Sequence, residues 1–205
     1  IILSKDNRVA FVADLGADKV FIYQFDDRTG KLKPNPSQNY YQTKAGAGPR
    51  HFKFHPNGEL AFLINELNST ITSFAFDKRK VILKEIQTVP TLPVNFSGAN
   101  SCADIHIAPN GKFLYGSNRG HDSLVIYAVE QRTGEMKYVG HVSTEGKKPR
   151  NFAISPDGKT LLAANQNSDS IIVFSVNEKT GMLKQTKNNA KVSMPVCLKL
   201  IPLFA

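Results

Sequence analysis

Three ionisable side chains stand at the ends of two neighbouring apolar segments between residues 48 and 77. Arg50 and His51 open the first segment, and Glu66 closes the second, after an intervening Pro-Asn-Gly turn. Such a turn between alternating apolar runs is typical of a β-hairpin, in which the start of one strand lies beside the end of the other. We therefore expect the three side chains to meet, where arginine can bind an anion and a carboxylate or imidazole can transfer a proton.

The predicted hairpin belongs to a unit that recurs along the chain. Four segments share the order of turn, apolar strand, polar loop and alternating strand, at residues 5–26, 55–77, 108–130 and 155–177. Their first turns are 50, 53 and 47 residues apart, read between Asn7, Asn57, Asn110 and Asp157. The first apolar residues after the loop are 51, 53 and 47 residues apart, read between Val20, Ile71, Leu124 and Ile171. Period-2 patterning with four short strands per unit predicts an all-β propeller of four-stranded antiparallel blades.

These units divide a single propeller domain that spans residues 1–205. The predicted boundaries enclose four blades and the start of a fifth unit: 1–47, 48–100, 101–147, 148–193 and 194–205. Because the chain opens inside a strand pattern, we expect the domain to be incomplete at its N-terminal side. Exposed blade faces of an incomplete ring would favour self-association.

Polar groups of the other units are predicted to join those of the hairpin. The residues equivalent to Arg50 at the start of the inner strand are Ala103, Arg150 and Val196. Those equivalent to His51 are Asp104, Asn151 and Cys197, and those equivalent to Glu66 are Leu15, Arg119 and Gln166. Because inner strands surround the axis of a propeller, these groups converge on one mouth of the central channel, a concave place suited to a binding site. His106 follows Asp104 by two residues and is predicted to face the same side.

The same charges also allow a structural interpretation, in which arginine and acidic residues form salt links between blades. The sequence leaves both interpretations open. The remaining histidines, His55, His121 and His141, lie near a turn, in a loop and in an outer strand, and we expect them to be structural. No metal-ligand spacing or nucleophile motif is recognisable, and therefore no cofactor or metal is expected.

Composition argues against several other classes of function. The net charge is +9, but the lysines and arginines are scattered without a basic helix, and this favours a solvated surface over nucleic-acid binding. No apolar run approaches the roughly 18 residues needed to cross a membrane. The two cysteines and the lack of a signal-peptide pattern predict a reducing compartment and a cytoplasmic location.

Three long stretches resemble the lactonase family of seven-bladed β-propellers. They are GPRHFKFHPNGELAFLINEL, SCADIHIAPNGKFLYGSNRGHDSLVIYAVE and KKPRNFAISPDGKTLLAANQNSDSIIVFSV. The resemblance implies that the chain is the C-terminal part of a seven-bladed ring and that it carries out lactone chemistry without a metal at the channel mouth. It relates the family's site arginines and glutamate to Arg50, Arg119, Arg150 and Glu66. The family's proposed catalytic histidine would fall immediately before Ile1, and His51 is a substitute that the resemblance itself does not support.

These observations lead to one expected function and two alternatives. We expect hydrolysis of an acidic lactone, as by a 6-phosphogluconolactonase of the pentose phosphate pathway. The alternatives are a muconate-lactonizing enzyme and a non-catalytic propeller that acts as a scaffold or ligand-binding module. The expected catalytic residues are Glu66, Arg50, Arg119 and His51, with Glu66 as the acid/base. The expected substrate-binding residues are Arg150, Asp104, His106, Asn151 and Gln166.

Overall fold

Every element of regular structure except one is a β-strand in the computed structural model, which describes residues 1–201. The exception is a single turn of 3₁₀ helix at Gln166–Ser168. The strands form four antiparallel sheets, each built from strands that follow one another along the chain. The predicted fold class, a propeller of four-stranded antiparallel blades, is confirmed. The boundaries assigned to the repeats stay a prediction.

The first sheet has one strand more than the others. It contains β1 (Ile2–Leu3), β2 (Val9–Asp14), β3 (Lys19–Asp26), β4 (Lys31–Pro34) and β5 (Tyr40–Gln42). Both β4 and β5 pair with β3, at its C-terminal and N-terminal halves respectively. The outer edge of this blade is therefore shared by two short strands.

The next three sheets each have four strands in sequence order. The second contains β6 (Pro49–Phe54), β7 (Leu60–Asn65), β8 (Thr70–Asp77) and β9 (Ile82–Pro90). The third contains β10 (Ser101–Ile107), β11 (Phe113–Arg119), β12 (Ser123–Val129) and β13 (Met136–Ser143). The fourth contains β14 (Pro149–Ile154), β15 (Thr160–Asn165), β16 (Ser170–Val176) and β17 (Leu183–Lys191).

The inner hairpin turns show one error in the predicted repeat alignment. In the second blade, the Asn57 side chain accepts the N–H of the residue two positions on at 2.8 Å, and Gly58 has φ of +69°. In the first blade, Asp6 accepts the equivalent N–H at 3.2 Å, and Asn7 has φ of +57°. Asp6, and not Asn7, is therefore the equivalent of Asn57. Asparagine tolerates the left-handed conformation that glycine adopts in the other turns.

Apolar side chains fill the spaces between consecutive sheets. Between the first and second sheets, the rings of Phe11 and Phe52 stack with centroids 5.1 Å apart. The second and third sheets enclose Phe62, Ile64, Ile71, Ile105, Leu114 and Val125. The third and fourth enclose Tyr115, Leu124, Phe152, Leu161 and Phe174. Each fully buried side chain of this size contributes about 1.5–3 kcal/mol to the stability of the fold. These apolar layers therefore hold consecutive blades against one another.

Loop carboxylates fix the start of the inner strands. Asp18, Asp122 and Asp169 lie between the second and third strands of their blades and have φ of +52°, +53° and +53°. Their carboxylates accept N–H groups from the segment that follows the blade, from Gly48 at 2.8 Å, Lys148 at 2.9 Å and Met194 at 2.8 Å. The chain therefore enters β6, β14 and the segment after β17 from defined points at one end of the channel.

Candidate functional site

Each inner strand from the second blade onward has a β-bulge near its start. The pairing register shifts at Arg50 in β6, at Ala103 and Asp104 in β10, and at Arg150 in β14. A bulge leaves a residue outside the regular ladder and changes the direction of its side chain. Sequence alignment of the repeats identified these residues as equivalent, but it gave no indication of the bulges.

Glu66 connects two arginines of different blades. Its Oε2 accepts a hydrogen bond from Arg50 Nη1 at 2.5 Å, and its Oε1 accepts one from Arg119 Nη2 at 2.6 Å. The side chains are 16%, 18% and 10% exposed, in the order Glu66, Arg50, Arg119. Arg119 belongs to the third blade, and its guanidinium group thus pairs with a carboxylate of the second blade. We call these three residues the Glu66 clamp.

Backbone carbonyl groups complete the Glu66 clamp. Arg50 Nε donates to the carbonyl oxygen of Ala103 at 2.8 Å, and Arg119 Nη2 donates to that of Cys102 at 2.8 Å. Arg119 Nε is buried and has no hydrogen-bond partner within residues 1–201. Burial by itself would raise the pKa of Glu66, but the two guanidinium groups outweigh it and hold this pKa below its ordinary value. The clamp is therefore ionised near neutral pH.

Asp104 forms a second centre beside the clamp. Its carboxylate bonds to His51 Nδ1 at 2.7 Å, His106 Nε2 at 3.0 Å and Asn151 Nδ2 at 2.5 Å. The Asp104 side chain is 2% exposed. Burial by itself would raise the pKa of Asp104, but its bonds to the histidines outweigh it and hold this pKa well below its usual range. We call Asp104, His51, His106 and Asn151 the Asp104 cluster.

The Asp104 cluster crosses the channel lining from blade to blade. His51, Asp104 and Asn151 occupy equivalent positions on the second, third and fourth inner strands, and each is bonded to the next. Asn151 Oδ1 then accepts the N–H of Leu198 at 2.6 Å. The sequence predicted that these residues share the channel mouth, and the structure adds that they bond directly to one another.

Arg150 and Gln166 have a different environment from the other predicted site residues. Both are half-buried at the same end of the fourth blade, where Pro149 pairs with Asn165. Neither side chain forms an ion pair or hydrogen bond within the described chain. Arg150 is thus a cation without a counter-ion at the position where Arg50 has Glu66.

A cavity of about 150 Å³ opens between the first two blades. Its lining consists of Ile1, Ile2, Phe11, Ala13, Arg50, His51, Phe52 and Lys53. The His51 side chain is 40% exposed there, and its Nε2 has no hydrogen-bond partner among residues 1–201. The cavity therefore brings an apolar wall together with one arginine of the clamp and one histidine of the cluster.

The histidines predicted to be structural lie away from this cavity. His55 is buried and bonds through Nε2 to the carbonyl oxygen of Gly111 at 3.0 Å. His141 bonds through Nε2 to the carbonyl oxygen of Thr91 at 2.8 Å, and His121 bonds to Ser123. Over residues 1–201, no group of His, Cys, Asp and Glu is arranged to hold a metal ion. No helix in this range has the length and apolar character required to cross a membrane.

Four antiparallel blades, of which the second, third and fourth are joined by bonds between polar and ionisable side chains, define a β-propeller with a polar site at one end of its inner strands. The family model described as "Lactonase, 7-bladed beta-propeller" matches residues 1–200, and the chain belongs to this family. It is 35% identical over 147 residues to the 6-phosphogluconolactonase of Bacillus subtilis, covering 72% of this chain and 42% of that protein. It thus spans less than half the length of this curated relative.

Solved structures give the same fold. A putative 6-phosphogluconolactonase from Bacteroides fragilis superposes with a TM-score of 0.90 at 34% identity, covering 98% of this chain and 56% of that chain. The periplasmic gluconolactonase PpgL of Pseudomonas aeruginosa superposes with a TM-score of 0.91 at 34% identity and the same coverage. Both likenesses extend over nearly all of this chain.

Proposed function

We propose that the protein hydrolyses 6-phosphogluconolactone to 6-phosphogluconate at the channel mouth. Family membership and the relatives named 6-phosphogluconolactonase support a lactone substrate. The observation that carries the proposal is the Glu66 clamp together with the half-exposed His51 and the unpaired Arg150 at one end of the channel. This combination offers groups for anion binding, oxyanion stabilisation and proton transfer. No cofactor or metal takes part in the proposed reaction.

Arg150 is the proposed binding group for the substrate phosphate. A guanidinium group matches the geometry of a phosphate and binds it through two parallel hydrogen bonds. Because Arg50 and Arg119 already share the carboxylate of Glu66, Arg150 is the arginine of this group that has no anionic partner within residues 1–201. Asn151 and Gln166 flank it on the fourth blade and supply neutral hydrogen-bonding groups.

Arg50 and Arg119 are the proposed donors to the oxyanion that forms on the lactone carbonyl. Each guanidinium has five N–H donors, and the clamp leaves several of them for a ligand. Glu66 fixes the direction of both groups before substrate binds, which is the arrangement that stabilises a developing charge most effectively. Glu66 is therefore proposed as the counter-ion of the two arginines. Its low pKa makes it a weak base, in contrast to the acid/base role that the sequence suggested.

Steady-state hydrolysis tests this proposal. 6-Phosphogluconolactone, formed in situ from glucose 6-phosphate, should disappear faster than its spontaneous hydrolysis, with glucono-lactone and a carboxymuconolactone as comparison substrates. Arg119→Gln should lower kcat at least 100-fold, whereas Arg132→Gln, at an exposed turn of the same blade, should leave it unchanged. A protein that hydrolyses no lactone would be a non-catalytic propeller, and preference for the muconolactone would favour the lactonizing alternative.

A cytoplasmic location is part of the same proposal. The buried thiol of Cys102 and the exposed Cys197 are both free, which is consistent with a reducing compartment. The PpgL protein of P. aeruginosa is periplasmic by its name. Cell fractionation with antibody detection decides between the two compartments, and recovery in the periplasm would contradict this part of the proposal.

A further inference from the structure

We infer that Ser117 is a positioning residue of the lactonase reaction, and that it acts on Arg50 through the peptide group between Ala103 and Asp104. The inference rests on the proposed lactone hydrolysis, in which Arg50 donates to the oxyanion. Ser117 is fully buried in β11, so it acts through other groups and does not touch the substrate. Its hydroxyl group determines the direction of the carbonyl group that holds Arg50.

A single peptide group connects Ser117 to Arg50. Its carbonyl oxygen belongs to Ala103 and accepts a hydrogen bond from Arg50 Nε at 2.8 Å. Its N–H belongs to Asp104 and donates to Ser117 Oγ at 2.9 Å. Because a peptide group is planar, the bond to Ser117 on one side fixes the direction of the carbonyl group on the other side. The guanidinium group of Arg50 is thus held by this carbonyl group as well as by Glu66.

The β-bulge of the third inner strand is wider than those of the second and fourth. In the second blade, the ladder resumes at His51, which pairs with Ile64, and the fourth blade has the same register. The equivalent pair of the third blade would be Asp104 and Ser117, but there the ladder resumes at Ile105. The Ser117 hydroxyl group therefore accepts the Asp104 N–H in place of a backbone carbonyl group.

Ser117 also differs from the residues at the same position of the other blades. The first, second and fourth blades have Ala13, Ile64 and Ala164 there, so an apolar side chain satisfies the packing of this position. Burial of a hydroxyl group is unfavourable unless the group forms hydrogen bonds, and this one bonds to the peptide group that holds Arg50. Alanine at two of the equivalent positions also indicates that a blade accepts Ser117→Ala without loss of its fold.

The Asp104 carboxylate supports the same bulge. Its Oδ1 accepts the N–H of Ile105 at 2.9 Å, and its two oxygens also bond to His51 and Asn151 on the neighbouring inner strands. Ser117 and this carboxylate therefore fix the peptide groups on both sides of Asp104. Because protein groups occupy both of its oxygens, Asp104 supports the site from behind, in contrast to the substrate-binding role expected from the sequence.

Removal of the Ser117 hydroxyl group should reduce the rate of the reaction and leave substrate binding unchanged. Without this group, the Asp104 N–H loses its acceptor and the peptide group is free to turn. Arg50 then keeps its bond to Glu66 but loses a fixed acceptor at Nε, so its remaining donors are no longer directed to one place. Since a displacement of about 1 Å in a site can cost roughly 100-fold in rate, we expect Ser117→Ala to lower kcat about 10- to 100-fold, with KM within twofold of the wild type.

Kinetics of matched variants test the inference. Ser73→Ala, the same change at a fully buried serine of the second blade, should alter kcat per folded molecule less than twofold. In protein that already carries Arg50→Gln, Ser117→Ala should lower kcat less than twofold further, because the group on which Ser117 acts is gone. A full additional decrease in that background, or a wild-type kcat in Ser117→Ala alone, would overturn the inference.

Nuclear magnetic resonance of the arginine side chains provides a test that does not depend on activity. In ¹⁵N-labelled wild-type protein, the Nε–H of Arg50 should exchange slowly with solvent, because it is bonded to the carbonyl oxygen of Ala103. Ser117→Ala should accelerate this exchange at least tenfold, whereas Ser73→Ala should not. An unchanged exchange rate in Ser117→Ala would overturn the inference even if the enzyme is active. Accelerated exchange in a protein that hydrolyses no lactone would instead count against the proposed function and leave the link between Ser117 and Arg50 supported.

Discussion

Replacing Glu66 by glutamine should destabilise the fold, because Glu66 is the shared counter-ion of two largely buried arginines. In wild-type protein, its two oxygens accept hydrogen bonds of 2.5 and 2.6 Å from Arg50 and Arg119, whose side chains are 18% and 10% exposed. Glutamine has almost the same shape, but it is neutral and presents an amide donor to one guanidinium group. The variant therefore loses one charged hydrogen bond, weakens the other and leaves two like charges close together.

The expected cost follows from these contacts. Hydrogen bonds to charged groups are worth about 1.5–3 kcal/mol each, and breaking a fully buried ion pair costs about 3–5 kcal/mol. Since Glu66 remains 16% exposed, we expect Glu66→Gln to lower the free energy of unfolding by about 2–4 kcal/mol. For a domain of this size, that corresponds to a decrease in Tm of roughly 4–16 °C.

Urea and thermal denaturation measure this change, with Glu59→Gln as the control. Glu59 is an exposed glutamate on the same hairpin, so its substitution removes the same charge without a guanidinium partner. Its unfolding midpoint should equal that of the wild type. A Glu66→Gln protein as stable as the Glu59→Gln protein would refute the view that Glu66 holds the two blades together.

Three further outcomes are expected from single changes. Arg150→Gln should raise KM for the phosphorylated lactone about 10- to 100-fold in steady-state assays and leave KM for an unphosphorylated lactone unchanged; equal effects on both would contradict phosphate binding. The pKa of Asp104 is lower in the folded protein than its unfolded value of about 4, so the ionised carboxylate stabilises the fold above that value and this stabilisation is lost as the pH falls. Asp104→Asn should therefore make the urea midpoint fall less steeply between pH 6 and pH 3. An unchanged slope would be contrary evidence. Gly116→Val should lower the free energy of unfolding by about 1–3 kcal/mol, because a Cβ at this position would lie 2.9 Å from Ile71 Cδ1. Gly16→Val is the control, since a Cβ at Gly16 has space. Equal urea midpoints for the two variants would argue against tight packing at Gly116.

The blade architecture could be predicted from the sequence because it depends on local signals. Period-2 alternation in stretches such as 70–76 and turns such as Pro56-Asn57-Gly58 set the strand order within each sheet. The first turn was misaligned by one residue, because Asp6 performs the asparagine role there and Asn7 takes the glycine conformation. For aligning the repeats, the type of a residue is thus a weaker guide than the backbone conformation that the residue adopts.

The site was predictable in location but not in its connections. Antiparallel pairing within a hairpin placed Arg50, His51 and Glu66 at one end, and the structure brings all three there. The bonds from Glu66 to Arg119 and from His51 to Asp104 cross between blades. They depend on the rotation between adjacent sheets and on the reach of long side chains, which spacing within one repeat does not determine. The alignment of His51 with Asp104 was the available signal.

A crystal structure of the protein with 6-phosphogluconate, the product of the proposed reaction, tests the central claim most directly. The product should lie at the channel mouth, with its phosphate on the Arg150 guanidinium group and its carboxylate between the Glu66 clamp and His51 Nε2. Phosphate bound at another surface, or a product carboxylate out of hydrogen-bond reach of both Arg119 and His51, would contradict the proposal that this mouth hydrolyses a phosphorylated lactone.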